Sequence, residues 1–168
     1  MMLTQDRLKK LVSYNCGTGE FTSLIQRGKS RAGSIIGSSR YDGYKSITIN
    51  YRHYLAHRLA WFYICGRWPR EHIDHINGDP SDNSFSNLRE ATNGQNNANS
   101  RMSIRNRSGV RGVRWHDLSS KWLAEITKNG KTRHLGIFNS IDEASAAYQN
   151  AAAEIHGTFA FNGEIVRA

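Results

Sequence analysis

The chain has few of the residues that staple or punctuate a fold: two cysteines and two prolines in 168 residues. Cys16 and Cys65 stand far apart with no CxxC pairing. That excludes a four-cysteine zinc site, and the expected cytosolic setting disfavours a disulfide, so both read as buried or idle thiols. No apolar run approaches the roughly 18 residues of a membrane span. The opening MMLTQDRLKK carries charge with no apolar stretch behind it, unlike a secretory signal. A cytoplasmic protein without a membrane partner is the expectation. Acidic residues are also scarce, 14 against 23 Lys and Arg, for a formal charge of +9. Such an excess suits a polyanionic partner, because displacing counterions from a phosphate backbone supplies affinity for any sequence. Residues 1–50 hold most of it, with eight Lys and Arg against three Asp and Glu. Lys9, Lys10, Arg27, Lys29, Arg31 and Arg40 are candidate phosphate contacts there, each of which could equally be an idle surface charge.

Glycines punctuate the first forty residues, and the β-leaning pieces Phe21–Ile25, Ser34–Ile36 and Tyr44–Asn50 between them predict an irregular antiparallel sheet. Ala56–Gly66 is apolar and aromatic and ends in Gly, which predicts a buried helix with Gly66 just past its end. Trp61, Phe62 and Tyr63 then belong to a core. His57 reads more readily as structural than as a contact to a reacting group. Glu71–Ile76 and Ser86–Ala91 predict two strands joined by a turning loop. Thr92 and Gln95 form a capping box at the start of a helix carrying Asn96. Residues 99–108 read as a basic polar linker.

The region 73–97 concentrates Asp, His, Asn and Gly. An imidazole can deprotonate water near neutral pH, so His75 is a candidate general base. Asp74 precedes it, and Asn87 on the returning strand can hold the loop or the His75 backbone through amide hydrogen bonds, which groups it with His75. In a regular strand Asp74 and His75 would face opposite sides, so joint action needs a local bend. Asp79 and Asp82 in a Gly/Asn/Pro loop close Asx turns more readily than they bind metal. His72 reads as a surface residue or a substrate contact.

Residues 56–98 resemble an HNH homing-type endonuclease of the phage and intron-encoded class. The matching pieces are His57-Arg58-Leu59-Ala60-Trp61, Ile73-Asp74-His75, Asn77-Gly78-Asp79, Asp82-Asn83, Asn87-Leu88-Arg89, Ala91-Thr92 and Asn96. The resemblance implies a DNA endonuclease with Asp74 and Asn96 as metal ligands. A carboxylate and an amide oxygen favour Mg²⁺ or Mn²⁺ over zinc. It implies cleavage to 5′-phosphate and 3′-hydroxyl ends, double-stranded DNA as partner and no small-molecule cofactor. If the chain is phage-encoded, its place is the host cytoplasm. One site per chain points to a nicking monomer; cutting both strands would need a dimer. The rival reading is a non-catalytic DNA-binding regulator with a retired nuclease unit.

After the linker, strands at Val110–His116, Trp122–Lys128 and His134–Phe138 are predicted, with Asn129-Gly130 as a two-residue hairpin. Ser140 and Glu143 cap a helix whose Ala144, Ala147, Tyr148, Ala151, Ala152 and Ile155 form one stripe. Trp122, Ala124 and Ile126 should face that helix. Arg114, His116, Lys121, Glu125, Thr127 and His134 are left outward, flanked by Arg111 and Arg133. Residues 110–162 resemble the DNA-binding domain of plant ethylene-response factors, the APETALA family. The matching pieces are Arg111-Gly112-Val113-Arg114, Lys121-Trp122, Ala124-Glu125-Ile126, Leu135-Gly136, Phe138, Glu143-Ala144 and Ala147-Tyr148. That implies a sheet lying in the major groove; the eight polar residues that strand parity singles out are the candidate DNA contacts. The expected fold is α+β. A ββα-metal HNH unit spans 1–98 with its core at 71–98 and antiparallel strands before it. A linker at 99–108 leads to a three-stranded sheet packed on one helix at 109–163.

Overall fold

The computed structural model describes residues 2–26, 30–100, 102 and 106–160. Arg27 and Lys29 lie outside the described residues, as do Arg101 and Arg105 of the expected linker. Four α-helices and several small antiparallel sheets, among the described residues, make a mixed α/β architecture. Internal contacts divide the chain into two units, Met1–Thr92 and Asn93–Ala168.

In the first unit, Thr4 caps helix α1 (Gln5–Leu11) by accepting from the Arg7 amide, and Leu8 and Leu11 are buried beneath it. The chain passes into strands β1 (Val12–Tyr14), β2 (Phe21–Ser23) and β3 (Ile35–Ile36), one antiparallel sheet in that order. Strands β4 (Ser38–Ser39), β5 (Lys45–Ile49) and β6 (Arg52–Leu55) make a second. The expected irregular sheet is therefore two sheets. Gly37, at φ 131°, turns the backbone between β3 and β4, a conformation open to glycine. In β5, Ile47 and Ile49 point inward and Ser46 and Thr48 do not, the alternation of a strand with one face on a core.

Helix α2 (Ala56–Cys65) follows β6 directly and ends at Gly66, whose φ of 72° lets its amide donate to the Phe62 carbonyl at 3.0 Å. Leu59, Ala60 and Phe62 pack with Leu8, Val12, Phe21 and Ile49 in one core. The hairpin of β7 (His72–His75) and β8 (Leu88–Ala91) docks onto it through Ile73 and Leu88. Phe85–Asn87 form a 3₁₀ turn, so β8 starts at Leu88 and not at Ser86. Cys16 and Cys65 are free and exposed; neither is buried.

The second unit begins with α3 (Asn93–Asn99). Strands β9 (Val113–His116), β10 (Lys121–Lys128) and β11 (Lys131–Phe138) form an antiparallel meander, with Asn129 and Gly130 at φ 52° and 76° in its second turn. Ser140 and Glu143 exchange both bonds of a capping box at the start of α4 (Ile141–His156). Ala144, Ala151 and Ala152 let that helix approach Val113, Ala124 and Ile126 closely. A register shift between Ala124 and Glu125 places Gly136 opposite Ala124 and His134 opposite Glu125.

Gly19, in the β1–β2 turn, holds φ at 72°, and a Cβ there would stand 2.3 Å from the Asn83 carbonyl carbon and 2.5 Å from the Ser84 nitrogen. Both obstacles are backbone and cannot rotate away. Gly19→Ala is expected to destabilise the first unit by about 2–4 kcal/mol, read as a lower urea midpoint.

Candidate active site

The β7–β8 hairpin pairs Asp74 with Arg89 and His75 with Leu88. Asp74 and His75 are 4% and 5% exposed, so two polar side chains sit together in the interior. Burial of that kind is tolerable only when partners replace water. For Asp74 the partner is Arg89, which donates from Nε at 2.8 Å and brings Nη2 to 2.7 Å of the same carboxylate oxygen. At the hairpin's other end, Arg67 grips Glu90 with bonds of 2.7 and 2.6 Å, and Glu90 also accepts from the Arg70 amide. The guanidinium pulls the Glu90 carboxyl down to about 2.

The loop between the strands is folded by its own side chains. Asn77 accepts from the Asp79 amide, Asp79 from the Ser81 amide and hydroxyl, and Asp82 from the Ser84 amide and hydroxyl. These are successive Asx turns. Bonding to Ser84 is the main reason the Asp82 carboxyl falls below its ordinary range. Asn87 ties the loop shut: its oxygen accepts from the Asn77 amide at 3.0 Å, and its Nδ2 donates to Asn77 Oδ1 and the Asp82 carbonyl.

Asn83, 1% exposed, is the loop residue that meets His75. Its Nδ2 donates to the Ser81 carbonyl, which turns Oδ1 toward His75 Nε2 at 3.3 Å. An amide oxygen there selects the tautomer protonated on Nε2 and makes Nδ1 the basic nitrogen. The assignment follows from the amide's own bonding, with Nδ2 committed to the Ser81 carbonyl. Tyr14 donates to the Asn83 carbonyl at 2.7 Å, linking this residue to β1; burial raises the phenol and keeps it a donor.

Two further rings complete the surroundings of His75. His57, in the first turn of α2, stands edge-on with ring centres 5.0 Å apart, and Tyr44, ahead of β5, lies 5.8 Å from His75 and 5.2 Å from His57. His57 is buried and its Nδ1 has no hydrogen-bond partner among the described residues. Burial, reinforced by His75 and Arg58, drives its pKa down to about 3. Burial also lowers His75, against the opposing pull of Asn83 and of Asp74, Asp79 and Asp82. Both imidazoles are therefore neutral near pH 7.

Sequence reading missed Asn83, Arg89, Tyr44 and the placement of His57. Asn83 and Arg89 lay within motifs already singled out; Tyr44 carried no signal. His72 is exposed, and Asn96 lies half-buried on α3 in the second unit. Among the described residues, no three His, Cys, Asp or Glu side chains gather as metal ligands. Of the candidate phosphate contacts, Lys9, Lys10, Arg31 and Arg40 are exposed, with Arg40 paired to Asp42 at 3.0 Å.

In the second unit, cross-strand register sorts the candidate DNA contacts. Arg114 opposes Leu123, His116 opposes Lys121, and Glu125 opposes His134, all on the face away from α4. Thr127 faces Thr132 with their hydroxyls 2.9 Å apart, and Arg114 lies 3.5 Å from Glu125. Arg133 is opposite Ile126, on the α4 side, and meets Glu154 at 3.4 Å. Arg111 donates to the Asn97 and Ala98 carbonyls at the end of α3, a cation where a helix leaves acceptors unfilled.

An HNH endonuclease family model matches residues 54–98, the stretch from the end of β6 to α3. The chain is 33% identical over 107 residues to Protein 3.8 of Escherichia phage T7, covering 62% of this chain and 86% of the phage protein. It is 32% identical over 111 residues to an uncharacterized HNH endonuclease of Acanthamoeba polyphaga mimivirus, covering 65% of this chain and 57% of that protein. The chain carries an HNH endonuclease domain and belongs to this family of phage and viral proteins. No solved structure matches it significantly. The HNH match covers both imidazoles, the Asn loop and Arg89, and it does not reach β9–β11.

Two outcomes follow from this geometry. Arg89→Met leaves the buried Asp74 without its cation and should cost about 3 kcal/mol, measured by urea unfolding. Below the ordinary histidine pKa of 6.5 the unfolded chain takes up a proton that folded His57 refuses. Stability should thus fall as pH drops from about 6.5, by up to about 1.4 kcal/mol per pH unit for that proton. His57→Phe should flatten the decline between about pH 6.5 and 5, above most carboxylate titration.

Proposed function

We propose that this HNH protein is a divalent-cation-dependent DNA endonuclease whose general base is His75. The observation that carries the reading is a buried, neutral imidazole oriented through Asn83, next to a buried carboxylate. The order β7, β8, α3 along the chain supports a ββα-metal arrangement. Nδ1 of His75 takes a proton from water, and the resulting hydroxide attacks phosphorus in line with the 3′ oxygen. The P–O3′ bond breaks, the leaving oxygen is protonated from solvent, and the ends are 5′-phosphate and 3′-hydroxyl. Asn83 fixes the tautomer by accepting from Nε2, and Asn87 holds the loop that carries Asn83. The neutral His57 beside His75 adds no charge that would oppose protonation of the base.

Asp74 and Asn96 are the proposed holders of Mg²⁺ or Mn²⁺. Their donor set is a carboxylate and an amide oxygen, which suits a hard ion that keeps several waters. Such an ion, when bound, supplies charge stabilisation at the phosphate and the departing oxygen. Arg89 orients the Asp74 carboxylate through one oxygen. The second unit is proposed as the DNA reader, an APETALA-type sheet. It offers Arg114, His116, Lys121, Glu125, Thr127 and His134 on its open face, with one nick per encounter by a monomer.

The test is relaxation of supercoiled plasmid. Cleavage with Mg²⁺ or Mn²⁺ should vanish in EDTA, and His75→Ala should lower the rate about a hundredfold or more. Nicks should be resealed by DNA ligase without prior kinase treatment. Cleavage that survives His75→Ala contradicts the assigned base. Tight DNA binding with no cleavage of any duplex favours the non-catalytic regulator.

A further inference from the structure

The hairpin between β5 and β6 is built against its own stability. Ile49 pairs with Arg52, so the turn consists of Asn50 and Tyr51 alone, at φ 50° and 62°. Two-residue turns with both φ positive favour Asn-Gly, because a Cβ at positive φ crowds the neighbouring backbone. The chain follows that preference at Asn129-Gly130 and places Gly43, at φ 83°, in the β4–β5 turn. At position 51 it uses a tyrosine instead. No packing offsets the strain, since Tyr51 is 101% exposed.

The tip stands on a firm base. Ile47 and Ile49 are anchored in the core, and Thr48 Oγ1 lies 3.0 Å from His53 Nδ1 across the strands. Arg52, next to Tyr51, is exposed and makes no ion pair among the described residues. Tyr41 provides the contrast: equally exposed at 99%, it sits in a turn where Arg40 is neutralised by Asp42 at 3.0 Å. An uncovered aromatic beside an uncompensated cation, in a chain of net charge +9, matches a surface that offers flat rings between anions.

We propose that the β5–β6 tip is a finger for double-stranded DNA, Tyr51 packing against sugar and base edges in a groove while Arg52 pairs with an adjacent phosphate. The idea rests on the reading that DNA is the substrate and adds a contact outside the catalytic hairpin. Strain at a functional tip is a common trade of stability for recognition.

The experiment uses the full chain carrying His75→Ala, with EDTA present, and a fluorescein-labelled duplex of mixed sequence followed by anisotropy. Tyr51→Gly should melt at or above the parent Tm and bind about tenfold more weakly. Tyr51→Phe should stay within about twofold, since it keeps the ring. Arg52→Ala should reduce the slope of log affinity against log salt by about one. Parent-like binding by Tyr51→Gly overturns the proposal, as does a loss of binding matched by a lower Tm, or no duplex binding by the parent. If wild-type chain cleaves plasmid while Tyr51→Gly binds normally, the finger alone fails. If tip-dependent binding occurs and nothing is cleaved, the catalytic reading alone fails.

Discussion

Burying an aspartate and a histidine side by side is the constraint around which the first unit is arranged. Neither Asp74 nor His75 can leave water unless something replaces its hydrogen bonds. Arg89 does so for the carboxylate from the adjacent strand, and Asn83 does so for the imidazole from the loop. Because breaking a buried pair is far more costly than forming it is favourable, the hairpin has little freedom to change register. A one-residue slip would exchange Arg89 for Leu88 opposite Asp74 and leave the carboxylate without its partner.

The loop illustrates how a short polar stretch becomes rigid without a core of its own. Its Asx turns pass hydrogen bonds from Asn77 through Asp79 and Asp82, and Asn87 closes the circuit. Asn83 is the outcome of that folding, delivered at a fixed angle to Nε2. The N-terminal sheets then act as a wall. Tyr14 holds the Asn83 carbonyl, Gly19 lets the β1–β2 turn approach the Asn83 backbone, and Tyr44 covers both imidazoles. Residues distant in sequence from the motif thereby fix the tautomer of its histidine.

Much of this was legible where local signals suffice. Helix α2 with Gly66, the Asn129-Gly130 turn, and the Ser140–Glu143 box all report themselves within a few residues. Strands β7 and β8 and the Asx role of Asp79 and Asp82 belong to the same class. What escaped depends on distant pairing. Helix α1 is only seven residues with two buried leucines, too short for a periodic pattern to stand out. The division into two sheets turns on the single residue Gly37, and β6 on a two-residue turn with tyrosine where glycine is the usual sign. Arg89, Tyr44 and His57 acquire their roles only when three elements meet. Arg133 shows the same limit: strand parity cannot foresee the register shift at Ala124 and Glu125, after which it faces α4.

The proposal that a divalent cation works beside His75 at Asp74, and not in the acidic loop, is open to a direct test. Titration of the full protein with Mn²⁺, followed by NMR of the histidine rings and backbone amides, tests it most directly. The account predicts that the Asp74 amide and the His75 ring broaden first, while Asp79 and Asp82 follow only at higher concentration. Broadening centred on Asp79 and Asp82, with the His75 ring still sharp, would contradict it.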